Sequence, residues 1–350
     1  MKENVQLRAF SFYLLGHIMS LQGGRERNML NKRLKTQREN QPNNSRPRYK
    51  SLYFKNNAAL YLMMLPGLLA LIANNYLPMG GILLAFKDYN YAKGFWGSDW
   101  VGFDNFKYLF SSDQAFIITR NTLLYNLTFI LVSVTIALAL AIALSELRNQ
   151  KIAKVYQSVF FLPYFLSWVV VSYLVFSLLS SDMGAINNFL INRGLEPINW
   201  YTEPKFWPWI LVTVNTWKWT GYDSIIYLAS IVAIDKTYYE AAAVDGATRW
   251  QQIRHITIPS IMPVITILTL LKVGRIFYGD FGLFWNIPKN MGVLYNVTNV
   301  IDTYVYRALT QSGDIGMAAA SGLYQAVVGF VLILTANKIV KMIDPEQALM

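Results

Sequence analysis

Seven polar or aromatic side chains lie inside two long apolar stretches and could together line a binding site: Asn215, Trp217, Lys218, Tyr222 and Asp223 in residues 206–232, and Lys272 and Arg275 in residues 259–279. Aromatic faces bind C–H surfaces, and polar side chains bind hydroxyl or charged groups. Lys272 and Arg275 are three residues apart, a spacing that puts both on one face of a helix. A structural alternative is that Lys218 pairs with Asp223, while the other two cations pair with Asp280 or with carbonyls of another subunit.

A second group of residues lies in the polar segment 236–259, between those two stretches: Glu240, Ala241, Ala242, Asp245, Gly246, Ala247, Arg249 and Pro259. Three alanines after a glutamate favour a helix. Gly246 then permits a bend, and a second short helix is expected to end at Pro259. Small side chains ringed by charges allow another protein to approach the backbone closely, so this segment is predicted to be a docking surface.

Several kinds of catalytic chemistry are excluded by residue counts. There is no cysteine, and the two histidines, His17 and His255, have no metal-ligand spacing around them. No Gly-Lys pair is present to form a phosphate-binding loop, and no G-x-S-x-G turn is present to hold a nucleophile. The sequence therefore argues against an enzyme, and any ATP that is used must be hydrolysed by another chain.

The composition indicates which elements must position these groups. Of the 350 residues, 54% are hydrophobic and only 15% are charged, where a soluble domain carries about a quarter. The net charge of +11 is concentrated before residue 51, where 11 basic residues face 3 acidic ones. A basic tail on an apolar body disfavours a nucleic-acid-binding protein and favours a membrane protein with a cytoplasmic amino end.

Six stretches have the roughly 20 apolar residues that a membrane helix needs: 58–86, 117–145, 155–180, 206–232, 259–279 and 316–340. The first contains Pro66 and Pro78 and is expected to kink. Lysine and arginine are more frequent in the loops that a cytoplasmic amino end would place inside. The sequence thus predicts an all-α membrane protein with six transmembrane helices and both termini cytoplasmic.

The expected domains are a basic cytoplasmic tail over 1–57, a six-helix transmembrane domain over 58–345 and a short tail over 346–350. Residues 1–28 contain an apolar run that is too short to span and lacks a processing site. They form either an interfacial helix or an extension before a true start at Met29.

The segment 236–259 resembles the coupling motif of the inner-membrane permeases of binding-protein-dependent ABC importers. That pattern is E-A-A, three residues, G, nine residues and I-x-L-P. It is matched by Glu240, Ala241, Ala242, Gly246, Ile256 and Pro259, with Ile258 in place of the leucine. Flanking segments such as VGFDNFKYLF (101–110) and FFLPYFLSW (160–168) resemble the polysaccharide and complex-oligosaccharide branch, and the resemblance covers roughly residues 55–345. The T-x-G-G-P turn of many malto-oligosaccharide permeases is missing from residues 280–289.

The resemblance implies the type I ABC importer permease fold in the bacterial inner membrane. It also implies a second permease subunit, expected to be a different chain, two ATPase subunits that use ATP and Mg²⁺, and an extracellular solute-binding protein. This chain itself would bind no cofactor. Glu240–Ala247 would dock on the ATPase, with Arg249 as a salt-bridge partner, and Gly246→Asp is expected to abolish uptake without preventing membrane insertion.

The expected substrate is an oligosaccharide, and Lys218, Lys272 and Arg275 favour an acidic one, such as a uronic-acid fragment of pectin or alginate type. An importer of amino acids or peptides is the alternative, because the coupling motif is shared. A secondary transporter would need carboxylates within its spans and repeated broken helices, and a membrane glycosyltransferase would need paired metal-binding carboxylates. The sequence favours neither.

Overall fold

A computed structural model describes residues 57–111, 113–182 and 184–343. The chain divides into two compact units at Tyr76. The described part of the first unit is helix α1 (Ala58–Leu71), with Pro66 inside it, followed by a π-helical turn over Ile72–Tyr76. Both alternatives for residues 1–28, an interfacial helix or an extension before a start at Met29, lie outside the described residues, as does the predicted tail over 346–350.

The second unit begins with a 3₁₀ helix over Leu77–Phe86 and a small antiparallel hairpin of β1 (Lys87–Asp88) and β2 (Asp99–Trp100). Helix α2 (Gly94–Gly97) lies in the loop between the two strands, and α3 (Asp104–Phe110) follows them. α-Helical geometry ends at Leu71, and the kink expected in the first stretch stays a prediction.

Helix α4 (Gln114–Ser145) is the longest described helix and contains the predicted second span. The predicted third span, 155–180, is not one helix. It divides into α5 (Gln150–Phe161), a 3₁₀ turn (Leu162–Phe165) and α6 (Trp168–Leu179), and its two halves are bent by 101°. After the bent segment come α7 (Ala185–Asn192) and two short 3₁₀ turns, Trp200–Thr202 and Pro204–Phe206.

Helix α8 (Trp207–Val232) matches the predicted fourth span. It is followed by the two-helix loop, with α9 (Lys236–Val244) and α10 (Arg249–Gln252). A π-helical turn over Ile253–Thr257 joins α10 to α11 (Ile258–Val273), so the fifth helix begins in the loop itself.

The carboxyl-terminal part contains four more helices and one 3₁₀ turn: α12 (Phe281–Asn286), the turn Gly292–Leu294, α13 (Tyr295–Thr298), α14 (Ile301–Thr310) and α15 (Ile315–Ile343). The last of them contains the predicted sixth span.

Helices α4 and α8 form the centre of the second unit and run in the same direction. Tyr125 and Phe129 of α4 pack in a cluster with Leu211 of α8, and farther along both helices Ala137 packs in a cluster with Tyr227. Two parallel helices joined by one chain require a return segment between them. The bent pair α5 and α6 provides that return.

Four helical stretches are long and apolar enough to cross a membrane, by length and composition: Ala58–Phe86, Gln114–Ser145, Arg249–Val273 and Ile315–Lys338. Counting the bent pair as one span gives five. Helix α8 is not among these stretches. Polar residues such as Asn215 and Asp223 lower its mean hydropathy. Six membrane helices and cytoplasmic termini stay predictions.

Candidate functional site

The first helix of the loop, α9, begins at an aspartate cap. Asp235 Oδ1 accepts hydrogen bonds from the backbone N–H of Thr237 at 2.9 Å and from its hydroxyl at 2.7 Å. Both bonds favour the ionised carboxylate, and they hold the pKa of Asp235 below its usual value. The cap fixes where α9 starts, and thereby which face Glu240 and Ala241 present. Both residues are exposed.

Gly246 ends α9 in the left-handed conformation, with φ of 81°. The N–H of Ala247 bonds to the carbonyl of Ala242 at 2.9 Å, and the N–H of Gly246 bonds to that of Ala243 at 3.1 Å. These two bonds are the Schellman arrangement, which strongly favours glycine at this position. A Cβ on Gly246 would meet nothing within 4 Å. Within this chain, glycine is therefore favoured at this position by the positive φ and not by a lack of space.

The second helix of the loop continues through Pro259, which corrects the expectation that Pro259 ends it. Thr248 and Gln251 form a capping box that starts α10. The π-helical turn then brings Pro259 to the first positions of α11, where a helix does not need the backbone N–H that proline lacks. Arg249 through Val273 therefore form one helical stretch of 25 residues.

The two helices of the loop enclose a shallow cavity of about 350 Å³, lined by residues of both: Ala242, Asp245, Gly246, Ala247, Gln251, Gln252, His255 and Ile256. Arg249 Nε lies 4.0 Å from Glu146 Oε2, and both side chains are exposed. Val244 and Trp250 are also exposed, at 88% and 69%. The sequence motif did not identify these two apolar groups, which enlarge the surface that a partner could bury.

The seven residues predicted to line a binding site are only partly brought together. A cavity of about 840 Å³ lies among α4, α8, α11 and the segment after α11. Five of the seven line it: Asn215, Tyr222, Asp223, Lys272 and Arg275. Trp217 and Lys218 do not belong to its lining.

Other residues of this cavity were missed from sequence. Asn126 and Ser133 line it from α4, seven residues apart and so on one face of that helix. From that spacing, the sequence could have identified the two residues as members of one polar face. Trp219 and Trp168 add aromatic surface, and the ring of Tyr222 is stacked on that of Tyr164 with centroids 4.6 Å apart.

Asp223 pairs with Lys272 rather than with Lys218. Lys272 Nζ lies 2.5 Å from Asp223 Oδ2, and the two side chains are 29% and 11% exposed. Residues five apart on a helix point about 140° away from each other, so Lys218 faces a different neighbour. The local pair expected from sequence is wrong, and most of the charge of Lys272 is offset within the cavity.

Lys218 is buried, and its ammonium donates to the backbone carbonyls of Pro163 at 3.3 Å, Tyr164 at 3.1 Å and also Leu166. These carbonyls lie in the bend between α5 and α6. Asp280, the other expected partner of the cations, accepts instead from Trp168 Nε1 at 3.1 Å and from the N–H of Leu283 at 3.2 Å. The expected pairing of Lys272 with Asp280 is therefore also wrong.

Arg275 lies beyond the end of α11, in the turn after Val273, and its side chain is exposed. It lines both the central cavity and a neighbouring apolar cavity of about 300 Å³. Within the part of the chain that the structure describes, no ion pair involves Arg275. Of the three cations singled out from the sequence, this one keeps an uncompensated charge beside the cavity.

No group of three histidine, cysteine, aspartate or glutamate side chains is arranged to hold a metal ion in residues 57–111, 113–182 and 184–343. The cavity offers aromatic faces, amide and hydroxyl groups, one ion pair, the carboxylate of Asp280 and the guanidinium of Arg275. These groups suit binding of a polar ligand that has C–H surfaces.

Comparisons with known proteins identify related chains. Residues 133–347 match the family model for the binding-protein-dependent transport system inner membrane component. The polygalacturonan/rhamnogalacturonan transport system permease protein YteP of Bacillus subtilis (strain 168) is 36% identical over 292 residues, which are 82% of this chain and 89% of YteP.

Two solved structures are similar in fold and sequence. One is the crystal structure of a bacterial alginate ABC transporter in complex with an alginate pentasaccharide-bound periplasmic protein, with 36% identity, a TM-score of 0.75, and coverage of 83% of this chain and 96% of the other. The second is a bacterial ABC transporter involved in the import of the acidic polysaccharide alginate, with 35% identity, a TM-score of 0.76, and coverage of 83% and 98%.

Proposed function

Because the chain belongs to the family of binding-protein-dependent transport system inner membrane components, we propose that it forms part of the translocation path for an oligosaccharide in an ATP-driven importer. The chain is an inner-membrane permease component and not an enzyme. In the proposed assembly it works with a second permease subunit, two ATPase subunits that use ATP and Mg²⁺, and an extracellular solute-binding protein that delivers the sugar.

The observation that carries this proposal is the central cavity of about 840 Å³, which combines Trp168, Trp219 and Tyr222 with Asn126 and Asn215. Aromatic faces pack on the C–H surfaces of sugar rings, and amides bind their hydroxyls. YteP, whose name states transport of polygalacturonan and rhamnogalacturonan, supports a saccharide over an amino acid or peptide.

The loop over Glu240–Pro259 is the proposed coupling element. Most of its residues are exposed, it presents Val244 and Trp250 beside a shallow cavity, and it continues into α11. The helical stretch Arg249–Val273 is about 36 Å long at 1.5 Å per residue. A displacement imposed on the loop by ATPase subunits would therefore reach Lys272 at the wall of the cavity.

We further propose that the transported oligosaccharide is acidic. Arg275 supports this, because its guanidinium borders the cavity and could bind a carboxylate in a bidentate manner. The alginate transporter described as an importer of an acidic polysaccharide also supports it. Lys218 and Lys272 do not support an acidic substrate, because the ammonium of Lys218 binds backbone carbonyls and that of Lys272 binds Asp223.

Uptake into proteoliposomes that contain the complete transporter tests both parts of the proposal. Oligouronates and the same oligosaccharides with reduced carboxyl groups should be compared in wild type, in Arg275→Gln and in the control Arg193→Gln, at an exposed arginine directly after α7. Loss of a charged hydrogen bond should weaken the uptake of oligouronates about tenfold in Arg275→Gln, and Arg193→Gln should behave as wild type.

The results separate the two claims. Equal uptake of neutral and acidic oligosaccharides, unaffected by Arg275→Gln, would contradict the proposal that the substrate is acidic. It would still agree with the proposal of an oligosaccharide importer. Uptake of amino acids or peptides with no uptake of any oligosaccharide would overturn the carbohydrate assignment.

A further inference from the structure

The bend between α5 and α6 leaves backbone carbonyls that need donors. The two helical halves meet at 101°, and a helix that stops leaves its last carbonyls without intrahelical partners. In a chain that crosses a membrane, such groups must find a partner within the protein, because the bilayer core supplies none. The carbonyls of Tyr164 and Leu166 both accept from Lys218, which also donates to the carbonyl of Pro163, itself bonded to the N–H of Leu166 at 3.2 Å.

The ammonium group of Lys218 is fully used by these contacts. An ammonium has three N–H donors and no acceptor, and three carbonyl oxygens accept from it here. The side chain of Lys218 is 4% exposed, and its Nζ lies 5.1 Å from the centre of the Trp168 ring. No donor remains to bind a transported ligand, so Lys218 is a positioning residue for the bend.

The surroundings of Lys218 fit a cation bound to the bend. Trp168 offers a ring face, which attracts cations, and its indole N–H is held by Asp280 at 3.1 Å. Gly221 lies one turn after Lys218, and a Cβ there would overlap the carbonyl of Phe160. Helix α8 therefore meets the bent segment at a closely packed contact, with a single positive charge placed among its carbonyls.

We propose that the Lys218 ammonium acts as a tethered cation for the carbonyls of the bend, and that removal of this amine creates a binding site for a small monovalent cation. Unwound backbone carbonyls in membrane helices coordinate alkali cations, and carbonyl rings replace the hydration shell of such ions. In this chain a covalently attached ammonium occupies the corresponding position, so the bend needs no free ion. This inference does not depend on the substrate or on the proposed function.

Distances between spin labels on the two arms of the bend test the proposal. The chain contains no cysteine, so Ser158→Cys on α5 and Ser177→Cys on α6 give unique labels. Both serines are exposed and bond only to carbonyls of their own helices. The labelled full chain, assembled with its cysteine-free partner subunits in nanodiscs, is measured by double electron–electron resonance in choline, sodium, potassium and ammonium chloride.

Wild type and Lys154→Ala, a control at an exposed lysine of α5, should give one narrow distance distribution that does not depend on the salt. In Lys218→Ala the narrow distribution should be lost in choline and recovered in sodium, potassium or ammonium. In Lys218→Met, whose side chain fills the space without a donor, it should be lost in all four salts.

Two results would overturn the proposal. One is a wild-type distribution for Lys218→Ala or Lys218→Met in choline, which would mean that the bend does not need the cation. The other is a lost distribution in Lys218→Ala that no small cation recovers. If Lys218→Ala does not accumulate, Lys218→Met decides, because a narrow wild-type distance in that variant contradicts the proposal.

Discussion

Asp223 Oδ2 on α8 lies 2.5 Å from Lys272 Nζ on α11, and this ion pair joins the central helix to the helical stretch that begins at Arg249 in the loop over Glu240–Pro259. The two side chains are largely buried in the wall of the cavity. Removal of one partner would leave the other charge uncompensated at a place that is poorly solvated, whereas removal of both would not.

This difference predicts strong coupling between substitutions of the pair. Asp223→Asn and Lys272→Met should each lower the free energy of unfolding by about 3 kcal/mol, and the double variant should lose much less than the sum. The measurement is a double-mutant cycle from denaturation of the purified chain in detergent. Additive losses would show that the pair contributes nothing, and Lys341→Met, at an exposed lysine of α15, should leave stability unchanged.

The contact between Gly221 and the bent segment predicts a second effect on stability. A methyl group at Gly221 would overlap the carbonyl of Phe160, so Gly221→Ala should cost about 2 kcal/mol because the backbone must move.

The matched control is Gly322→Ala in α15, where a Cβ meets nothing within 4 Å. Alanine should be neutral there, or stabilising by up to about 1 kcal/mol. Thermal denaturation compares the two variants, and equal midpoints would contradict the close packing of α8 against the bend.

The cap at Asp235 predicts a result for helix α9. Asparagine caps helices as well as aspartate does, but alanine does not. Asp235→Ala should therefore lower the hydrogen-exchange protection of residues 236–244 about fivefold, while Asp235→Asn should keep it. Equal protection in all three proteins would contradict the role of the cap.

The pH dependence of this cap has a definite sign. Hydrogen bonds from Thr237 hold the pKa of Asp235 below its usual value. The extra stability is therefore present above the ordinary aspartate pKa of about 3.9 and is lost as the pH falls through the lower folded value. Protection of residues 236–244 should not change between pH 6 and 8 through Asp235, and a loss within that range would contradict this assignment.

The features that sequence predicted well are local ones. The sequence predicted a helix at the alanines, a bend at Gly246 and a second helix after it, and the structure has all three, because the hydrogen bonds that form them join residues at most five positions apart. The long apolar runs of α4 and α15 also determine their helices without help from the rest of the chain.

The features that sequence missed depend on distant partners. Residues 155–180 are mainly apolar, and the break at Pro163 and Ser167 is also stabilised by Lys218, 52 to 55 positions away from the carbonyls that it binds. The pairing of Asp223 depends on α11, 49 positions away. Lys218 is the nearest lysine to Asp223 in sequence, but a separation of five residues on a helix points the two side chains in different directions.

Uptake by the Gly246→Asp variant tests whether separate ATPase subunits drive this chain through the loop over Glu240–Pro259. The variant and its control Gly246→Asn are assembled with the partner subunits in proteoliposomes, and ATP-dependent uptake of a labelled oligouronate is measured. Asparagine and aspartate both tolerate a left-handed φ, so the two variants separate the introduced charge from backbone strain.

The expected result is insertion as in wild type for both variants, uptake abolished in Gly246→Asp, and partial uptake in Gly246→Asn. Normal uptake and normal stimulation of ATP hydrolysis in Gly246→Asp would contradict the account.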